Sequence, residues 1–380
     1  MKINYYKLSD LCVDIIDCPH STPIWKESGV RVVRNFNLKD GNLDFSNGFY
    51  VDESTYQDRI KRAMPEQDDI IISREAPMGV VAIIPKDLKC CLGQRLVLLK
   101  VDKSKIAPFY LLSILRSEYV QTQFRRADVT GSTVSNLCIP DLKNIIIPVV
   151  EINQSQNAKL LKNINEKIVV NSKINDNLVA TAKASLLKLF IENDNIPKQQ
   201  IGHFCFEVKA GGTPNRTMHS YWNNGLYPWV KNGEVKNNII IDTEEFISQS
   251  GYENSSAKLV KKHSVLMAMY CVSTPQLAYT DIDVTTNQAV CAMTTRNKLQ
   301  AAYLYYYLMF FGQDLINDAN GSAQINLSKE LISNYCIPIP DDAMLSNMNL
   351  IENLEYRTQV SKEIVALTSL SQLLIANLSR

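Results

Sequence analysis

The chain has 380 residues, 40 of them basic and 39 acidic, for a formal net charge of +1. With 46% hydrophobic and 21% charged residues it has the make-up of a globular protein with room for two cores, and no apolar run approaches the roughly 18 residues of a membrane span. So neutral a chain lacks the basic surplus of a stand-alone nucleic-acid binder: either it binds no DNA, or its cations are focused on one face and partners supply more.

The segment Met1–Asp10 lacks the apolar stretch of a secretion signal. Nine cysteines with no CxxC spacing point to reduced, mostly buried thiols and a cytoplasmic setting.

In chain order, Asp69–Ser73, Gly79–Ile84 and Leu96–Val101 are β-branched and turn-bounded, which predicts strands. Ala107–Arg126 reads as an amphipathic helix, Ile145–Pro148 as a strand, and Glu151–Phe190, free of Pro and Gly, as a long helix. Its apolar residues Ile164, Ile168, Leu178, Ala182, Leu186 and Leu189 keep to one stripe. Asn171 and Asn175 lie on that stripe, where polar groups are costly but fix the register between paired helices. A polar linker, Glu192–Pro197, follows. Leu299–Asp318 is a second amphipathic helix, with the very apolar Ala301–Phe311 as its core segment. Asp341–Arg380 repeats the long striped helix with Leu350, Leu354, Ile364, Leu367, Leu374 and Leu378. Neither long helix is apolar enough to stand alone, so we expect them to pair, antiparallel because a domain separates them in sequence.

The second half repeats the first. Gly131-Ser132 recurs as Gly321-Ser322, Asn136-Leu137 as Asn326-Leu327, and Ile145–Pro148 as Tyr335–Pro338, each shifted by 190 residues, half of the 380. Leu8 matches Ile201, Ile70–Ile72 match Val265–Met267, and Gly93-Gln94-Arg95 match Asn287-Gln288-Ala289 at slightly larger shifts. Two copies are too few for a solenoid; a pseudo-twofold tandem duplication is expected. The fold class is α+β: two similar mixed domains, 1–150 and 196–340, separated by two antiparallel, coiled-coil-like helices in 151–195 and 341–380.

Several segments carry a family likeness. Ala210-Gly211-Gly212-Thr213-Pro214-Asn215-Arg216, then Tyr221-Trp222 and Pro228-Trp229-Val230-Lys231, resemble the opening of a target-recognition domain in type I restriction-modification specificity subunits. Thr285-Thr286-Asn287-Gln288-Ala289 resembles that domain's central strand. In the first half, Asp17-Cys18-Pro19-His20-Ser21-Thr22-Pro23 and Ser73–Gly79 resemble another class of the domain, with Cys91–Arg95 at the central strand. The likeness spans essentially the whole chain. One departure is that the long helices do not open with the family's Pro-Glu-Gln-type turn.

The resemblance implies a non-catalytic subunit whose two domains each read one half of a bipartite, asymmetric double-stranded DNA site. The helices would set the spacer and dock two adenine methyltransferase subunits. Those would bring S-adenosylmethionine, and ATP-dependent, Mg-using restriction endonuclease subunits would complete the complex; this chain itself would hold no cofactor. The runners-up are the specificity subunit of a type II-like assembly and a duplicated protein-interaction adaptor that never touches DNA.

The candidate DNA contacts are His20, Ser21 and Thr22, Ser132 and Ser322 in the repeated turns, and Asn215 beside the Gly-Gly-Thr-Pro turn. That turn (Gly211, Gly212, Thr213) either offers free backbone N–H groups to a phosphate with Arg216 adding charge, or is a plain turn. Trp222 and Trp229 pack on sugar or brace the loop. Arg34 with Asn35, and Lys231 with Asn232, follow equivalent strands and read guanine or phosphate unless they are solvated surface residues. Arg74, Glu75, Gln94 and Arg95 suit base edges, against an Arg74–Glu75 ion pair; Asn287 and Gln288 parallel the Gly93-Gln94 pair, and Gln288 is otherwise buried and satisfied by backbone. There is no G-x-G-x-x-G, no P-loop and no Asn/Asp-Pro-Pro-aromatic motif, and the four histidines have no metal-ligand spacing.

Overall fold

The computed structural model describes residues 3–46, 48–75, 77–127, 136–150, 153–193, 195–270, 273–318 and 326–378, and it divides into two units, Met1–Ile168 with Ala366–Arg380, and Val169–Val365. In the first unit Cys12–Asp17, Leu96–Val101, Ile70–Ser73 and Val81–Ile83 form a four-stranded antiparallel sheet in that order. Ile70, Ile72, Val97 and Leu99 pack into one core layer while Ile71, Leu96 and Leu98 pack into another. Both faces are therefore covered, which is why these strands read as unbroken apolar runs.

A smaller sheet places Val30–Val33 between Tyr50–Val51, antiparallel, and Cys90–Leu92, parallel. Successive side chains of a strand point to opposite faces, so the adjacent Cys90 and Cys91 enter different clusters, one with Ile71 and Leu96, the other with Val32 and Tyr56. Ile3–Lys7 pairs with Ile146–Val150.

The second unit repeats the plan. Its main sheet runs Glu207–Ala210, Val290–Thr294, Val265–Ala268, Leu277–Thr280, Asn238–Ile240; Glu245–Ile247, Tyr227–Val230 and Thr285–Thr286 form the small sheet; Lys198–Gln200 pairs with Cys336–Pro338. The expected duplication is present, with a fifth strand, Asn238–Ile240, added to the main sheet of the second unit. Leu8 N bonds to Ile145 O as Ile201 N does to Tyr335 O, at 2.8 and 2.9 Å.

Three expected helices are shorter than the sequence suggested. Ala107–Arg126 is two helices, Pro108–Leu115 and Glu118–Ala127. Leu299–Asp318 is Lys298–Phe311 and Gln313–Asp318, divided at Gly312, and the first is not amphipathic: Ala301 to Leu308 are all buried. Asp341–Arg380 is a short helix, Asp342–Ser346, capped by the Asp341 carboxylate, and then Leu350–Leu378. The long central helix spans Gln154–Glu192. Both long helices begin directly after an asparagine in the left-handed region, Asn153 (φ 60°) and Asn349 (φ 52°), a conformation asparagine tolerates better than most residues.

The two long helices run antiparallel. In the first unit Ala158 and Leu161 share a core with Ile375 and Leu378; in the second, Ala182 and Leu186 share one with Leu350 and Leu354. Between these, Asn171 Nδ2 donates to Glu363 (2.8 Å), Asn175 Nδ2 to Ser361 Oγ (3.4 Å) and Asn353 Nδ2 to Leu178 O (2.8 Å). Ile164 is buried, whereas Ile168, Leu178, Ile364, Leu367 and Leu374 are half-buried, so the buried Asn171 sits deeper than several apolar residues of the stripe.

Candidate nucleic-acid interface

Each unit builds one loop frame from main-chain hydrogen bonds. Beyond the parallel pairing of the small sheet, Gly93 N donates to Val33 O (2.7 Å) and Asn287 N to Val230 O (3.0 Å). Arg74 N donates to Arg95 O and Met269 N to Ala289 O, both at 2.8 Å; Leu137 N reaches Arg74 O (3.0 Å) as Leu327 N reaches Met269 O (2.8 Å). One turn of 3-10 helix follows each central strand of the small sheet, Asn35–Asn37 and Asn232–Glu234. Arg34 N donates to Asn37 Oδ1 and Lys231 N to Glu234 Oε1, each at 2.9 Å. Arg34 and Lys231 are thus equivalent, as the sequence suggested.

In the first unit this frame opens a cleft of about 370 Å³ that brings together Thr22, Arg34, Asn35, Gln94 and Arg95 with Pro23, Trp25, Phe36 and Pro77. The Arg34 guanidinium lies 4.6 Å from the Phe49 ring, 5.0 Å from Phe36 and 5.3 Å from Trp25. Arg95 sits in the left-handed region (φ 65°) and pairs with Glu75 at 3.1 Å. Gln94 Nε2 donates to His20 O, and Asn35 Nδ2 to Glu75 O (2.6 Å), leaving Asn35 Oδ1 buried without a partner.

Arg74 does not face this cleft as a free base reader. It is only 13% exposed and bonds Asp17 at 2.9 Å and Leu137 O at 3.0 Å. The alternative reading, an Arg74–Glu75 ion pair, does not form either: Arg74 pairs with Asp17 and Arg95 with Glu75. His20 is exposed and meets the same Asp17 at 3.0 Å. Sequence reasoning missed Arg59. It is buried, and its guanidinium donates to Leu92 O (2.9 Å), Ser21 O (3.0 Å) and Pro19 O (3.4 Å), stapling the loop of His20, Ser21 and Thr22 to the strand Cys90–Leu92. No local signal marks it: an arginine ending a short helix looks like any surface residue.

In the second unit the Gly-Gly-Thr-Pro turn is packed rather than open. Gly211 N donates to Val290 O (3.4 Å) and Gly212 N to Thr286 O (2.9 Å), so these N–H groups are not free for a phosphate. A Cβ on Gly211 would collide with Thr286, and one on Gly212 with Ser256; the glycines permit close approach of loop to strand. Trp229 is buried and donates to Gly212 O (3.1 Å), Trp222 donates to Asn215 O (3.2 Å), and the two rings meet edge to face at 5.0 Å. Both tryptophans brace the loop.

The cations here are held by acids. Arg216 lies 3.7 Å over the Trp222 ring and pairs with Glu245; Lys231 pairs with Glu244 (2.7 Å) and Glu245 (3.0 Å). Those hydrogen bonds push the Lys231 amine up to about 12, and Arg216, then Lys231, hold the Glu245 carboxyl below its usual value. Asn215 accepts from Thr217 N (3.0 Å), Asn287 from Ala289 N (3.2 Å), and Asn232 bridges Met269 N (3.2 Å) and Tyr270 O (3.1 Å). Gln288 is exposed, not buried, and meets Thr213 Oγ1. Ser132 and Ser322 lie outside the described residues. Among the described residues no cluster of three His, Cys, Asp or Glu is placed to hold a metal, and no helix is long and apolar enough to cross a membrane.

A family model described as the type I restriction modification DNA specificity domain matches residues 6–180 and again 200–344. The chain is 22% identical over 137 residues to the EcoR124I/EcoR124II specificity subunit of Escherichia coli, which is 35% of this chain and 34% of that protein. It is 20% identical over 335 residues to the type I restriction enzyme MjaIX specificity subunit of Methanocaldococcus jannaschii, 81% of this chain and 76% of that one. In fold it resembles the type I restriction-modification S subunit from M. genitalium, with a TM-score of 0.59 and 17% identity, over 100% of this chain and 96% of the other. One domain match falls on each repeated half, and the chain belongs to the type I restriction-modification DNA specificity family.

Proposed function

We propose that the chain reads a bipartite, asymmetric double-stranded DNA site, residues 1–150 taking one part and 196–340 the other, and that it catalyses nothing itself. The observation that carries this is the loop frame built twice from main-chain bonds with different side chains set around it: Thr22, Arg34, Gln94 and Arg95 in the first unit, Thr213, Arg216 and Gln288 in the second. A constant frame with changed side chains is what two different half-sites require, because base edges are read by side chains and backbone contacts set position.

The segments 151–195 and 341–380 hold the spacer helices and the docking surface for two adenine methyltransferase subunits. Those subunits carry S-adenosylmethionine and much of the positive charge that a chain of net charge +1 lacks. ATP-dependent endonuclease subunits complete a restriction complex in a prokaryotic cytoplasm.

The test is domain exchange. Residues 1–150 are replaced by the recognition domain of a different specificity subunit, and methylated adenines are mapped genome-wide in cells that also express the methyltransferase. One half of the methylated motif should change and the other persist. If both halves change, the assignment of one domain to one half-site is wrong.

A further inference from the structure

The two units differ at one equivalent position in a way that separates their cations by role, given the DNA-reading function above. Val32 N donates to Phe49 O at 2.9 Å, and Trp229, its counterpart, stands opposite Glu245. Phe49 and Glu245 therefore occupy the same place on the neighbouring strand. In the second unit that place holds a carboxylate, which with Glu244 engages Lys231 at 3.0 and 2.7 Å. In the first it holds a ring 4.6 Å from the Arg34 guanidinium.

The two neighbours act on a cation differently. A carboxylate takes up N–H donors and cancels charge, whereas a ring engages a guanidinium through its face and leaves the in-plane N–H groups uncommitted. Among the described residues Arg34 makes no ion pair and no side-chain hydrogen bond. Trp25, Phe36 and Phe49 hold it beside an open cleft. The other cation lining that cleft, Arg95, is already paired with Glu75 at 3.1 Å.

We infer that Arg34 is a specificity-determining residue that presents its N–H fork to the O6 and N7 edge of one guanine in the half-site of the first unit, while Lys231 is an internal strut. A phosphate site gathers several cations or free backbone N–H groups; this one offers a single uncommitted fork between flat apolar walls. A guanidinium pinned in its plane also loses little freedom on meeting a planar pair of acceptors.

The test is selection from a random duplex pool by the full chain purified with its methyltransferase subunits, followed by titration of the selected duplex. The wild type should enrich two sequence blocks. R34K and R34A should each lose one guanine preference in one block, keep every other base, and weaken binding to the selected duplex by about 5- to 150-fold. F49E, which supplies the missing carboxylate, should behave like R34A; R34K, with its melting curve compared to wild type, carries the test should F49E unfold. K231A should keep all base preferences. Uniform weakening across sequences in R34K or R34A would assign Arg34 to phosphate and overturn the inference, as would an unchanged motif. A wild type that enriches no sequence would sink the DNA-reading function itself, a different result from an intact motif indifferent to Arg34.

Discussion

The Asn171 amide donates to the Glu363 carboxylate at 2.8 Å, a hydrogen bond between the two long helices within the second unit. Asn171 is buried, while Glu363 remains exposed. A buried polar group in a helix pair is costly in stability and defines which register is satisfied.

Asn171→Ala removes a charge-assisted bond and leaves a small void, which should cost about 1–3 kcal/mol. Asn171→Leu should lose less, because Glu363 can turn to water and the new side chain fills the stripe. Urea denaturation of the two variants should rank Ala below Leu; equal stability of Ala and wild type would show that the bond contributes nothing.

Arg357, in the helix Leu350–Leu378, is buried with Tyr305 and Tyr306 hydroxyls and Asn237 O each at 3.4 Å, and its Nε has no partner. Among the described residues no carboxylate pairs with it. Arg357→Met keeps the packing and deletes a desolvated charge, so stability should hold or rise by about 1 kcal/mol; Arg357→Ala should lose about 2–4 kcal/mol to the cavity. Denaturant midpoints decide, and a Met variant as damaged as the Ala variant would mean that the charge itself is needed.

Glu245 has its carboxyl held below the usual value by Arg216 and then Lys231. A depressed folded value means stability that is present above the ordinary carboxylate value of 4.5 and lost as pH falls through the folded one. Glu245→Gln should therefore be less stable than wild type near neutral pH, by under about 1 kcal/mol because the group is partly exposed. The difference should fade below pH 4.5. Melting curves across that range check it; a gap that persists in acid would place the contribution outside the ion pairs.

The proposed spacer role gives a length test. The central helix Gln154–Glu192 has 39 residues, about 58 Å at roughly 1.5 Å per residue. Four residues inserted at the exposed Asp176-Asn177 step lengthen it by about 6 Å while nearly keeping the face of the stripe. The unread spacer of the methylated motif should grow by about one or two base pairs, with the bases on each side unchanged. An active enzyme with an unchanged spacer would show that the helix does not set it.

What was legible in the sequence follows a physical division. The duplication could be read because both halves need the same strands and the same loop frame, so Gly93 aligns with Asn287 and Arg34 with Lys231 before any fold is known. The antiparallel helix pair was legible from a stripe that neither helix could bury alone. Side-chain partners were not. Arg74 meets Asp17, 57 positions away, rather than its neighbour Glu75, and Lys231 meets Glu244 across two strands, because strand register decides which charges come within reach. The N–H groups of Gly211 and Gly212 looked available because nothing local consumes them; their acceptors come from Val290 and Thr286. The break at Gly312 was missed because an apolar run outweighed a single helix-ending residue.

Cys90 and Cys91 are neighbours on one strand whose thiols lie in different core clusters, and burial pushes them up to about 12 and about 11. Alkylating reagents attack the thiolate, so both should be inert until their surroundings open. Two thiols on adjacent residues thus serve as native clocks for two separate layers. Modification of Cys91 before Cys90 would time the loosening of the packing under Val32, one residue from Val33 and two from Arg34, independently of the main sheet.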